Sequence, residues 1–295
     1  MPNSRQGYVE IGSSDADARM FWQTTRHRID LTRVQIMAVV NVTPDSFSDG
    51  GRFANASEAA FQCERMLSEG ADILDLGAES SRPGAKSVAL QEELDRLLPA
   101  LEVALTLGCP VSIDTTKPEV MRHVVAMGAD IINDINALQA PGALDIVAAH
   151  ATCGAALMHM RGSPETMQQR PAYTDVVDEV SGFLQARLSA ASKAGVSTER
   201  VVLDPGIGFG KSVEHNLDLL RRQRELLALG RPLLVGWSRK STLGAVTGRD
   251  VRDRLTASVA AALAAVQNGA KVIRVHDVAA TSDALRVWRA AGLCQ

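Results

Sequence analysis

Polar groups recur at one kind of place in this 295-residue chain, the end of a short β-branched run. Asn41 closes Val-Gln-Ile-Met-Ala-Val-Val, Asp114 closes Val-Ser-Ile, and Asn133-Asp134 closes Ile131-Ile. His159, Asp204 and the pair Arg274 and His276 end three further runs, while Gly77-Ala-Glu and Gly236 with Ser238 lead out of the remaining two. One such residue is ordinary turn chemistry. Eight on a common rim call for a reacting site. Asp114, Asn133 and Asp204 suit an amine-rich heterocycle. Arg274 and His276 lie two residues apart on one side of a strand. Inside a fold that pair is costly unless it meets an anion, and a diphosphate would satisfy both.

The connecting loops add to this set. Asn41-Val-Thr-Pro-Asp-Ser-Phe-Ser-Asp-Gly-Gly is too long for a tight connection, and Phe47 in it has no purpose on a plain surface loop. Arg82, on the constrained backbone before Pro83, offers a planar fork to a carboxylate or phosphate. Asp204-Pro-Gly-Ile-Gly-Phe-Gly-Lys has glycines at alternate positions, expected to let the backbone approach a flat ligand. Its spacing is neither a dinucleotide fingerprint nor a P-loop. Gly236-Trp-Ser-Arg-Lys-Ser sets Arg239 and Lys240 before a helix, with Ser241 as the expected cap and the helix start as an anion site. Met158 offers a flat wall; His159 is left open, and Asp75, in mid-strand, reads as a buried hydrogen-bonded residue. No nucleophile with a paired base stands out, nor a cluster of His and Cys for a metal. Transfer through a good leaving group fits better than hydrolysis.

These residues need a scaffold that brings strand ends together. Gly70-Ala-Asp-Ile-Leu, Gly128-Ala-Asp-Ile-Ile and Gly269-Ala-Lys-Val-Ile are near copies, each joining an amphipathic stretch to an unalternating apolar run. Gly suits the left-handed position after a helix, and such runs suit strands buried on both faces. Eight strands are expected from near Val34, Asp72, Pro110, Ile131, Ala155, Val201, Leu233 and Val272. Helices are expected over Ser57–Glu69, Leu90–Leu107, Val176–Ala194, Val213–Leu229, Arg254–Asn268 and Ala279–Ala290. Eight βα units in about 260 residues point to an α/β fold of the (β/α)8 TIM-barrel type, although the count alone also admits an open sheet. The first 32 residues stand outside the repeat as an arm. Phe21-Trp22-Gln23 and His27–Leu31 are expected to form a hairpin over the barrel floor, and residues 1–18 to be disordered. Residues 33–295 make one domain.

Composition excludes several classes. A net charge of −3 suits neither a nucleic-acid binder nor a membrane-surface protein. No apolar run approaches the roughly 20 residues of a span, and the N-terminus lacks an apolar signal core. Cys63, Cys109, Cys153 and Cys294 are scattered and read as buried thiols in the cytoplasm.

Asn41–Gly51, Glu79–Ala85, Ser112–Val120, Ile131–Ile135, Leu157–Gly162, Asp204–Lys211, Gly236–Ser241 and Ile273–Val278 resemble, in order and spacing, the motif set of bacterial dihydropteroate synthases. The resemblance covers residues 33–290. It implies condensation of 6-hydroxymethyl-7,8-dihydropterin pyrophosphate with p-aminobenzoate through a cationic pterin, with Asp114, Lys240 and Asn41 in the catalysis. By the same resemblance Asp114, Asn133, Met158, Asp204, Gly236 and Lys240 hold the pterin. Asn41, Arg274 and His276 take the pyrophosphate, Asn41 through Mg2+. Phe47, Ser81, Arg82, Pro83, Phe209 and Ser241 surround p-aminobenzoate. Sulfonamides are expected as inhibitors, and a homodimer through barrel helices as the assembly. Ser81 stands where the family usually has Thr, Ala78 replaces a usual Gly and Trp237 a smaller residue, which reshapes the pocket edge. Two rivals are a corrinoid-linked methyltetrahydrofolate methyltransferase barrel, which lacks the Ser-Arg-Lys-Ser end, and a non-catalytic pterin-binding paralogue.

Overall fold

The computed structural model describes residues 20–42, 51–80, 84, 87–164, 166–167 and 171–294, and for 51–56 the backbone alone. Eight parallel strands close into a barrel. They are β3 (Gln35–Asn41), β4 (Ile73–Gly77), β5 (Val111–Asp114), β6 (Ile131–Asp134), β7 (Gly154–Met158), β8 (Val201–Asp204), β9 (Leu233–Val235) and β10 (Ala270–Val275). They pair in chain order, and β10 returns to β3. The closed barrel replaces the open-sheet alternative. Each strand lies within two residues of its expected start.

Alternation along the strands builds the interior in layers. Met37, Ile73, Ile131, Ala156, Val202, Leu234 and Val272 form the lowest layer. Trp22 completes it from outside the barrel, fully buried, its indole donating to the Arg200 carbonyl at 2.9 Å. It sits on β1 (Phe21–Gln23), paired antiparallel with β2 (Arg28–Asp30). The expected hairpin is therefore present and plugs the floor. Arg26 fastens it to the barrel through Asp130, at 2.6 Å, and through the Leu105 and Cys109 carbonyls. Residues 1–18 lie outside the described residues.

Helices α1 (Gly51–Ser68), α2 (Leu90–Ala104), α3 (Pro118–Met127), α4 (Ala143–Ala149), α5 (Val176–Lys193), α6 (Val213–Arg221), α7 (Ser241–Thr247), α8 (Leu255–Gln267) and α9 (Val278–Ala290) fill the connections. Pro118 opens α3, where its missing N–H costs nothing. Gly128, at φ +102°, closes the same helix in the left-handed region. Three helix boundaries differ from expectation by more than one residue, the first at α2, which ends at Ala104 and hands over to a 3-10 segment, Leu105–Leu107. Helix α1 starts six residues earlier than Ser57, at the Gly51 that the sequence read as the end of the loop. The 213–229 stretch divides at Arg222 (φ −105°, ψ 11°) into α6 and a 3-10 segment, Gln223–Leu229. Among the described residues no helix is long and apolar enough to cross a membrane. All four cysteines are free, and burial pushes the thiols of Cys63 and Cys153 up to about 12.

Candidate active site at the barrel mouth

Two residues above the apolar floor, the same strands turn polar. Asp75 on β4, Asn133 on β6, Asp204 on β8 and Arg274 on β10 occupy this layer, with Asp114 on the neighbouring β5. The alternation that points Ile73 and Val272 inward points Asp75 and Arg274 inward as well. Above them lies a cavity of about 420 Å³, lined by Asn41, Asp114, Asn133, Met158, Asp204, Gly236, Lys240, Ser241, Arg274 and His276, with Phe209 on one wall. The structure thus brings together the described members of the expected site. Phe47, Ser81, Arg82 and Pro83 lie outside the described residues.

Charge in this cavity is arranged in pairs. Arg274 donates from Nε to Asp75 at 2.7 Å and from Nη2 to Asp114 at 2.7 Å. The sequence suggested that Arg274 and His276 needed an anion from outside. Instead, the fold supplies two carboxylates to Arg274. Asp75 also accepts from Asn133 Nδ2 at 3.1 Å and is completely buried. The sequence read it as a buried hydrogen-bonded residue, which it is; its link to the site through Arg274 was not read. The available signal was parity, since Asp75 shares the inward face of β4 with Gly77 at its mouth. His276 holds Ser238 Oγ within 2.9 Å of its Nδ1, and its backbone N–H donates to the same oxygen.

Burial governs protonation here. Desolvation raises Asp114 to about 7, against the opposing pull of Arg274 and with further elevation from Asp75. It also raises Asp204, although the Gly206 N–H and Lys240 lower it. Lys240 is pushed down to about 8 by burial, with Asp204 opposing. Its ammonium lies 4.1 Å from the centre of the Phe209 ring. Adjacent Arg239 goes elsewhere, outward to Asp277. Its positive φ of 59° lets two neighbouring cations diverge. Ser241 is the first residue of α7, and Lys240 occupies the cap position.

The glycines after Asp204 serve the protein more than a ligand. A Cβ on Gly206 would stand 1.9 Å from the His159 carbonyl oxygen, and one on Gly210 would stand 2.3 Å from that of Arg161. Only Gly208 of the three lines the cavity. Its own Cβ would meet the Lys240 stem at 3.0 Å. His159, left open by the sequence, is buried and pushed down to about 3 by desolvation and by Lys211, so it is a neutral ring against Lys211 and Phe183. A second cluster unseen in the sequence joins two loops beside the cavity. Lys117 pairs with Glu79 and Glu93, and Thr115 donates to Glu93 at 2.6 Å.

Residues 37–276 match the family described as pterin binding enzyme. The dihydropteroate synthase of Neisseria meningitidis serogroup B is 49% identical, over 94% of this chain and 99% of its own. The chain belongs to the dihydropteroate synthases. Among solved structures, the Yersinia pestis enzyme, in complex with a sulfonamide drug, superposes with a TM-score of 0.87 at 43% identity. That match covers 92% of this chain and 99% of the other. The Burkholderia cenocepacia enzyme, complexed with 7,8-dihydropteroate, gives 0.85 at 47% identity, with 92% and 96% covered. This dihydropteroate synthase is a transferase of folate biosynthesis on a TIM barrel. The expectation drawn from the motifs holds against the methyltransferase and binding-only rivals.

Proposed function

We propose a division of labour within the mouth. Asn133, Asp204 and Lys240 hold the pterin edge, with Asp114 at its reacting side and Met158 and Gly236 lining the slot. Arg274, His276 and Asn41 receive the diphosphate. The C–O bond between the pterin methylene and the diphosphate breaks, and the diphosphate leaves with the electron pair. Ionised Asp114 stabilises the methylene cation through a low-dielectric path. The p-aminobenzoate nitrogen then forms the C–N bond and gives up a proton. Phe209 and Ser241 border the arylamine together with Phe47, Ser81, Arg82 and Pro83. The observation that carries this reading is the convergence of Asp114, Asp204, Lys240 and Arg274 on one cavity.

Magnesium fits this site as a companion of the diphosphate. Among the described residues no three His, Cys, Asp or Glu side chains could hold a metal. Asn41, at the end of β3, supplies one neutral oxygen at the cavity wall. That suits an ion which keeps water and phosphate oxygens as most of its ligands. Bound there, it would neutralise the leaving group. Exposed Val246 on α7 and Leu255 on α8 offer apolar surface on barrel helices for a homodimer. Sulfonamides would compete with the arylamine. Three of the four free thiols are buried, with Cys294 half-buried where the sequence expected burial, and free thiols suit the cytoplasm.

Product formation from the pterin pyrophosphate and p-aminobenzoate, titrated with Mg2+, tests the assignment. Asn41→Ala is expected to raise the Mg2+ needed for half-maximal rate about tenfold. An unchanged Mg2+ requirement would remove Asn41 from the metal.

A further inference from the structure

Lys211 is 2% exposed and takes no part in the chemistry above. Its ammonium lies 2.9 Å from the Gly206 carbonyl oxygen, 3.1 Å from that of Phe209 and 3.3 Å from that of His159, with His159 Nδ1 at 2.9 Å. Three ammonium protons thus serve four acceptors. The neutral His159 ring presents a lone pair there. Two of the carbonyls belong to the 205–210 loop itself, so the Lys211 amine, pushed down to about 7 by burial with Asp204 opposing, gathers the loop around it through its N–H donors.

Other bonds hold the remaining parts of that loop. Asp204 accepts from the Gly206 N–H at 2.7 Å, Asn216 from the Gly208 N–H at 2.8 Å, and Tyr173 donates to the Gly210 carbonyl at 2.8 Å. Asn216 also donates to Thr242 at 2.9 Å and so joins the loop to α7. Only Lys211 among these side chains reaches the carbonyl of Phe209. Holding the peptide carbonyl of a residue restricts its ψ, and so narrows the positions open to its side chain. For Phe209 that direction is toward the cavity and under the Lys240 ammonium.

We propose that Lys211 is a positioning residue for the second substrate, whose buried ammonium holds the Phe209 carbonyl so that the Phe209 ring forms the arylamine wall beneath Lys240. This rests on the reading of Phe209 as a border of the p-aminobenzoate pocket. It separates the two substrates by position, because β6 and β8 set Asn133 and Asp204, and Lys211 reaches Asp204 only through its charge and the shared Gly206 peptide.

The test is a double-mutant cycle of Lys211→Met and Phe209→Ala, read as KM for p-aminobenzoate, Kd for the pterin pyrophosphate by calorimetry, and Tm. Lys211→Met is expected to raise the p-aminobenzoate KM about tenfold. Pterin pyrophosphate Kd should stay within about twofold, and Phe209→Ala should gain under about twofold in KM from the added Lys211→Met. An unchanged KM in Lys211→Met, or full additivity with Phe209→Ala, overturns the proposal. Phe209→Ala with the wild-type KM overturns instead the arylamine reading beneath it. Should Lys211→Met fail to fold, Lys211→Gln keeps two N–H donors without the charge. A rise of about threefold is expected of it, and the wild-type KM would overturn the proposal.

Discussion

The two ends of this barrel are built from the same strands, two residues apart, and do opposite work. At the floor, Ile73, Ile131, Val202 and Val272 close around Trp22 in a dry layer. At the mouth, Asp75, Asn133, Asp204 and Arg274 occupy the next inward positions of the same four strands. Burial stabilises the first set and strains the second. Removing an indole from water is favourable by area alone. Removing Asp114 from water pushes its proton affinity up, and Arg274 only partly offsets this. The stability held at the floor allows charges at the mouth to sit where transferring charge needs them.

Mutations at the two ends should therefore separate stability from rate. The largest effect on stability is expected for Trp22→Ala, about 3–5 kcal/mol by denaturant unfolding. Its turnover per folded molecule should remain within about twofold. A drop in turnover matching the loss of stability would mean that floor and mouth are not separable.

Arg274→Met tests a mouth residue that also serves the fold. It leaves fully buried Asp75 without its cation, at a cost of about 3 kcal/mol. Because Asp114, already raised to about 7 and then freed of the lowering pull of Arg274, can take up a proton, the deficit should shrink as pH falls. A deficit independent of pH would point to lost packing alone.

A smaller effect is expected in the pH profile. Asp114 must be ionised to stabilise a cation, so kcat/KM rises as pH passes upward through about 7. Lys240 must stay protonated to hold its ligand, so kcat/KM falls above about 8. Stability runs the other way at Asp114. Its folded value lies above the ordinary 3.8, so its contribution is complete at low pH and is lost as pH rises through about 7. Stability should therefore fall across the interval in which kcat/KM climbs. A flat profile from pH 6 to 9 would show that neither group titrates in the rate-limiting step.

How much of this was legible in the sequence follows from the same layering. Strand ends were readable because Asp114, Asn133 and Asp204 each interrupt an apolar run, and the helix-ending glycines punctuate the repeat. The hairpin was readable from Phe21-Trp22-Gln23 and His27–Leu31, two short stretches that stand outside the repeat. The burial of Asp75 was readable from its mid-strand place, but the partner that ties it to the site was not. That partner, Arg274, lies 199 residues away. The glycines near Asp204 announced close approach without saying to what, and the answer is the backbone of His159 and Arg161. Arg239 and Lys240 read as one basic end, yet a single left-handed residue sends them apart. Lys211 was invisible as a clasp, since its acceptors are mostly carbonyls, which every residue carries.

The most direct test is single-turnover release of pyrophosphate from the pterin substrate, with and without p-aminobenzoate, in the wild-type protein and in Asp114→Asn, alongside Tm for both. The account predicts release that depends on p-aminobenzoate and falls about 10²–10³-fold in the variant, with Tm at pH 8 no lower than that of the wild type. Release at the wild-type rate in Asp114→Asn would contradict it, because the mouth would then perform the transfer without the carboxylate on which the account depends.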